Sequence, residues 1–510
     1  MMGKRIKNVI VLGGGSAGFL AAITLKKRIP EFNVSLIHSS KIPIIGVGEG
    51  STFTMPQYLH GYLGLDPGTF HEIVKPTYKL GIKFLWGERD HFMYTFNGQL
   101  DTRLPHLPKA NGFYSLDNFD YGELNAALMA HDKGFARQSD GGPLVNTDVA
   151  YHLENRPFVE YLDEAAEEVG VKIIDDTVKN VQVGEEGIES LELESGLDAR
   201  ADLFIDCSGF RSELLGKALG EPYREFDSSL FCDRAIAGGW SREEEVLKPY
   251  TTAETMDAGW AWQIEHDHLI NRGYVYSSNF ISDDEAEQEF REKNPKVKDP
   301  RLIKFKSGVR ERSWVKNVVA IGNSSGFVEP LEATSLAIIC EHSAKLVQTL
   351  ADNELCIHPT GRKYYNQTVK INWDAIRSFL AMHYKFNKRI DTPFWRACWE
   401  DTDLAGAEEV VEYYTEAGPG TMWSHLAMGA NDPFGWEGYL VMLVGQKVPT
   451  NAKYTPSNEE VMAWQQFKNG LKAKAESAYS MRESLDMIRS EQWQWKPDFY
   501  PSANKWGANL

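Results

Sequence analysis

Apolar residues along this chain fall into three patterns, and each predicts a different element. Short, mainly apolar runs read as buried strands. They occur at residues 7–12, 34–37, 202–206 and 318–321. Alternating segments such as 188–193 suit antiparallel strands, because successive side chains point to opposite faces. From Ala333 onward the period lengthens to that of a helix, with apolar stripes at 333–351, near 373–384 and at 458–475. Gly418-Pro419-Gly420 is the clearest late loop.

Between the first two apolar runs stands Gly13-Gly-Gly15-Ser16-Ala17-Gly18, a strand–GxGxxG–helix arrangement. Gly13 permits the tight turn, Gly15 lets the backbone approach a pyrophosphate, and Gly18 lets the helix pack close to the strand. Ser16 and Ala17 open a helix whose free amides and positive dipole end suit phosphate oxygens. The acidic ribose partner expected at the end of the second strand is absent, and His38 stands there instead. A histidine can also hydrogen-bond a ribose hydroxyl. Later strands end at Asp206-Cys207-Ser-Gly209 and at Gly322-Asn323-Ser-Ser-Gly326, which suits a chain returning to one flavin from distant positions. With no second glycine loop for NAD(P)H, a flavoprotein binding FAD is expected, its electrons coming from another protein, such as a separate flavin reductase, or from free reduced flavin.

Composition narrows the classes further. The 510 residues carry a net charge of −18, which disfavours nonspecific nucleic-acid binding. The five cysteines, at 207, 232, 340, 356 and 398, have no CxxC spacing, so neither a disulfide frame nor a structural metal site is expected. No secretory leader or membrane-spanning run is visible, and the expected location is the cytoplasm. Fourteen tryptophans, clustered late, offer flat surfaces for a flat ligand or an aromatic core.

Several segments, in this order, resemble the flavin-dependent halogenases of the tryptophan halogenase group. Gly46-Val-Gly48-Glu49-Gly-Ser-Thr52 resembles the strap beside the flavin, and Thr77-Tyr-Lys79-Leu-Gly-Ile-Lys83-Phe84 the segment with the essential lysine. Ala150–Leu153, 204–210, 273–278, 327–332 and 383–396 match as well. The WxWxIP signature appears as Trp260-Ala-Trp262-Gln-Ile264-Glu265, with Glu265 in place of proline. The proline is linked to discouraging ordinary monooxygenation, so its replacement leaves room for that side reaction.

The resemblance implies an α/β fold: an FAD-binding Rossmann-like body of the flavin monooxygenase type, an added antiparallel sheet and a mainly helical C-terminal region. We expect residues 1–345 to form the FAD-binding and catalytic body, and 346–510 to help form the substrate site. Gly48, Glu49, Val178, Asn323 and Leu336 join the glycine loop and His38 as expected flavin contacts. Reduced FAD and oxygen would give a flavin hydroperoxide, which halide attacks to yield hypohalous acid. Lys79 would guide that oxidant to the arene, as hydrogen-bond donor or haloamine, since burial favours the neutral, nucleophilic amine. Lys83 is a nearby decoy.

Glu332 is the residue the resemblance selects to stabilise the arene cation and take its proton, with Glu329 the alternative. Thr334 and Ser335 open the next helix and would offer amides to the halide, whether chloride, bromide or iodide. Ala333 and Ser335 depart from the serine and glycine common in the family. Trp423, Phe434, Trp436 and Tyr439 are candidate walls for the arene, and Glu437 a candidate contact for a substrate amine. The expected substrate is a small electron-rich aromatic such as an indole, and a homodimer is among the expected states. Two other functions compete: a flavin-dependent aromatic monooxygenase, and a flavin-binding protein without turnover.

Overall fold

The computed structural model describes residues 5–42, 48–99, 118–419, 432–496 and 498–500. The first apolar runs form β1 (Asn8–Leu12) and β2 (Asn33–His38), joined by helix α1 (Ser16–Arg28). A six-stranded sheet runs in the order Trp314–Val315, Val318–Ala320, Leu203–Asp206, β1, β2, Lys172–Asp175. All its pairings are parallel except the Trp314–Val315 edge, so both faces need cover, and the central strands β1 and Leu203–Asp206 are buried along nearly their whole length.

The lysine segment breaks into two strands. β3 (Thr77–Lys79) joins Ala150–Leu153 and Glu49–Gly50 in a small antiparallel sheet. The next strands, β4 (Gly81–Leu85) and β5 (Phe92–Thr95), enter a larger sheet. Its order is Arg301–Lys304, Arg234–Ser241, Leu269–Tyr276, β6 (Gly259–Glu265), Tyr250–Met256, β4, β5. The added antiparallel sheet is thus real, with one parallel join between β4 and Tyr250–Met256.

Helices follow as the lengthened period requires. α2 (Thr334–Asp352) packs on α1 and buries Leu336, Ile339, Leu346 and Leu350 on its inner face. α3 (Pro359–Phe386) extends well beyond the stripe read near 373–384 and packs on α2. α4 (Gly435–Gly445) is apolar nearly all round and lies against α3 and β5, while α5 (Met481–Ile488) reaches back to β3. The expected 345/346 division falls inside α2. Among the described residues all five cysteines are free, and no helix is long and apolar enough to cross a membrane.

Candidate active site

The glycine loop is built as its spacing demands. Gly13 has φ +129°, and a Cβ there would stand 2.2 Å from the Cys207 carbonyl oxygen. A Cβ on Gly18 would meet the Gly13 oxygen at 1.8 Å, which is why only glycine lets α1 sit so close to β1. At Gly15 nothing lies within 4 Å of that position, so the loop opens to a ligand there. No side chain caps the first turn of α1, where Ser16 and Ala17 stand, and its amides face the same opening. His38 packs its ring over Gly14, and Gly322 (φ +72°) brings the later return loop against Ala17. Asp206 organises the other return, accepting from the backbone of Ser208, Leu214 and Leu215. These features fit the pyrophosphate end of a dinucleotide.

The remaining flavin expectations divide. Gly48 (φ +75°) leaves no room for a side chain, because a Cβ would stand 2.5 Å from His266 Nε2. Glu49 Oε1 accepts from Asn155 Nδ2 at 2.7 Å. Asn323 lies in the Gly322–Ser324 turn beside the loop. Leu336 and Val178 pack into apolar clusters, Leu336 in the main core and Val178, partly buried, against a smaller cluster that includes Ile37. Gly46 and Val47 of the strap lie outside the described residues.

Lys79 is fully buried at the end of β3. Its Nζ donates to the Ser51 carbonyl at 3.0 Å and lies 5.6 Å from the Phe96 ring centre. Burial holds the amine down at about 8, from an ordinary 10.5, and the charge of Glu332 pulls the other way. A Cβ on Gly50 would sit 3.5 Å from Lys79 Nζ and 3.6 Å from Ala333 Cβ. The amine and the chain beside Glu332 therefore share one small space, floored by glycine. Thr251 borders it, its hydroxyl held by His152 Nε2 at 2.8 Å. Lys83 is half-buried on β4, over the Tyr250 ring at 5.7 Å.

Glu332 ends the short turn Pro330–Glu332, after which Ala333 adopts a left-handed φ of 53°. That conformation is costly for a residue with a Cβ, by roughly 1 kcal/mol or more, and α2 starts at the next residue. Thr334 is buried and Ser335 exposed at the uncapped start of α2. Glu332 Oε1 lies 2.7 Å from His383 Nε2, one turn beyond Phe379 on α3. Phe379 stacks on Phe434 at 3.8 Å, meets Tyr439 at 5.1 Å and stands edge-on to the His383 ring at 4.9 Å, so these two expected walls pack on the residue next to the histidine. Trp436 packs at the edge of the main core, and Trp423 lies outside the described residues. Tyr94 of β5 is near enough to Glu332, Glu437 and Asp432 for their charges to raise its phenol, after burial as the larger cause. Glu437 Oε1 accepts from the Gln99 backbone.

Glu329 points elsewhere. It is fully buried and accepts from Trp260 Nε1 at 2.9 Å and from the Tyr384 hydroxyl. The first tryptophan of the signature is thus tied to a carboxyl group. Glu265 lies on the opposite face of β6 and ion-pairs with Arg242, with both side chains almost wholly buried. Sequence reasoning missed His383, Phe379, Phe96 and Tyr94. The one local signal was a histidine on the apolar stripe of α3.

Comparison with known proteins follows the same lines. A family profile described as tryptophan halogenase matches residues 8–461. Tryptophan 7-halogenase RebH of Lentzea aerocolonigenes is 32% identical over 443 residues, covering 81% of this chain and 82% of that protein. The crystal structure of MibH, a lanthipeptide tryptophan 5-halogenase, is 37% identical with a TM-score of 0.87, covering 95% of this chain and 94% of its own. Xcc4156, a flavin-dependent halogenase from Xanthomonas campestris, has a TM-score of 0.83 at 28% identity, covering 95% and 98%.

Proposed function

The chain belongs to the tryptophan halogenase family, whose members are flavin-dependent enzymes, and on that premise we propose that Lys79 and Glu332 divide the halogenation of an indole-like arene between them. Bound FAD, reduced by a separate flavin reductase, would supply oxidised halide from oxygen and chloride or bromide. The glycine loop and the α1 amides would hold its pyrophosphate. Thr334 and Ser335 amides are the candidate halide contacts.

The observation that carries this reading is the buried Lys79 amine, sharing its space with the turn that bears Glu332. At pH 7 an amine near 8 is neutral in roughly a tenth of molecules, against far fewer for an exposed lysine. Nζ can donate a hydrogen bond to the oxygen of the hypohalous acid, or, when neutral, attack its halogen with the lone pair, breaking the oxygen–halogen bond and losing water with an amine proton, and then pass the halogen to the arene. Glu332 then faces the cation formed when the ring takes the halogen. It stabilises that charge and accepts the ring proton, restoring aromaticity. Phe379, Phe434 and Tyr439 supply an apolar wall for a flat ring.

The test mixes the protein with FAD, a flavin reductase, NADH, oxygen, bromide, and free tryptophan, a tryptophan-containing peptide or simple indoles. Product mass is read. The wild-type protein should yield a brominated arene. Lys79→Ala should retain FAD binding and flavin reoxidation and lose bromination by roughly 100-fold or more. A variant brominating at the wild-type rate, or a wild-type product carrying oxygen in place of bromine, would overturn the reading.

A further inference from the structure

The contacts of His383 occupy both of its ring nitrogens. Nδ1 lies 2.8 Å from the Phe379 carbonyl oxygen, which can only accept, so Nδ1 carries a hydrogen. Nε2 lies 2.7 Å from Glu332 Oε1. A bare nitrogen lone pair and a carboxylate oxygen would repel at that distance, so a proton must stand between them. The pair is either imidazolium with carboxylate or imidazole with carboxylic acid, and in both cases it holds one shared proton. Both side chains are buried, His383 wholly and Glu332 almost so, which keeps water from substituting for either partner.

From this geometry we infer that His383 is a positioning residue for Glu332, and that the two act as one acid–base unit. The inference rests on the reading of Glu332 as the group that takes the arene proton. The imidazole is aimed by the helix itself: Phe379 and His383 are four residues apart on α3, and the Phe379 carbonyl fixes the ring. The ring then fixes Oε1, which leaves Oε2 to meet the substrate. In the proton-transfer step the C–H bond at the halogenated carbon breaks, and its electron pair returns to the ring. The proton goes to Oε2, and the shared proton stands on Nε2, having crossed from Oε1 if the carboxyl held it. The extra positive charge is spread over the pair until the Oε2 proton leaves with the departing product. Phe379 also stacks on Phe434, so the residue that orients the histidine belongs to the apolar wall. Packing of the arene and aim of the base are thereby coupled.

A double-mutant cycle tests the inference, using full-length protein with FAD, reductase, bromide and a brominated indole substrate found as above. His383→Phe should lower kcat roughly 10- to 100-fold. KM, FAD binding and flavin reoxidation should change little. In a Glu332→Gln background the same change should cost nothing further, because its effect runs through the carboxylate. His383→Gln, which keeps a donor for Oε1, should recover part of the loss. If His383→Phe fails to bind FAD, the Gln variant carries the cycle. Losses that multiply, or a His383→Phe variant as fast as wild type, would overturn the pairing while leaving Glu332 in place. A Glu332→Gln variant with unchanged rate would overturn both.

Discussion

At the scale of single residues, burial decides which charges the site can carry. Glu329 is pushed up to about 7 from an ordinary 4.5, chiefly by burial and against the hydrogen bonds from Tyr384 and Trp260. Lys79, buried in the same body, is pushed down to about 8. Burial thus moves both groups toward neutrality, from opposite directions. For Glu329 the effect on stability has a definite sign. The folded protein holds this proton more tightly than the unfolded chain, so the contribution is present below pH 4.5 and lost as pH rises to about 7. Glu329→Gln removes the titration and keeps an oxygen for Trp260 and Tyr384. Between pH 5 and pH 8 the wild type should therefore lose roughly 2–3 kcal/mol relative to the variant. Urea unfolding of both proteins at the two pH values reads this directly. Parallel pH dependence would mean that Glu329 ionises in the ordinary range.

At the scale of elements, the short strand β3 is held from the far end of the chain. Arg489, just past α5, donates to the carbonyls of Lys75 at 3.0 Å and Pro76 at 2.8 Å, and pairs with Asp267 at 2.6 Å. Thr77 donates its hydroxyl to the Glu265 carbonyl at 2.5 Å, so the strand is pinned at its start as well as across its sheet. Glu265, where the family has proline, is itself locked by Arg242, and its carboxylate serves the scaffold on the face away from Trp260 and Trp262. Arg489→Ala should therefore loosen Lys79 without touching the glycine loop. We expect bromination to fall roughly 10- to 100-fold with FAD affinity unchanged, because small misplacements of a reacting group are that costly. More oxidised bromine should also escape per arene brominated, measured with a soluble scavenger. An unchanged ratio of escaped to transferred bromine would show that α5 has no part in aiming the amine.

These same elements show what the sequence made legible. The apolar runs became β1 and β2, and the helical stripes became α2 and α3, because burial imposes its period locally. The glycine loop was readable because each glycine answers a steric demand within a few residues. β3 was not readable as a strand from periodicity: three residues are too few for an alternation, and its partner strand lies far along the chain at Ala150–Leu153. Lys79 and Glu332 were placed by resemblance, since nothing local distinguishes a buried lysine from an exposed one. His383 carried a weak sign, but the contact that gives it meaning spans 51 residues, and only the packing of α3 on the turn after Phe327 creates it.

At the scale of the whole molecule, the question is whether the flavin-binding body and the helical region are separable. The geometry argues against separation. α2 runs through the 345/346 boundary and packs on both α1 and α3. Glu332 and its partner His383 lie on opposite sides of that boundary, and β5 lies against α4. A ligand seated on the α1 amides should then stabilise residues far beyond 345, because unfolding either part exposes the face of α2 that the other covers. We expect one cooperative unfolding transition, with FAD raising its midpoint. At FAD a hundredfold above its dissociation constant the gain is about 2.7 kcal/mol. For a unit of this length that corresponds to a rise of roughly 2–3 °C if all residues unfold together. Calorimetry with and without FAD distinguishes the cases. Two transitions, only the first of them moving with FAD, would show that the helical region melts on its own and that the pairing of Glu332 with His383 joins two independent units.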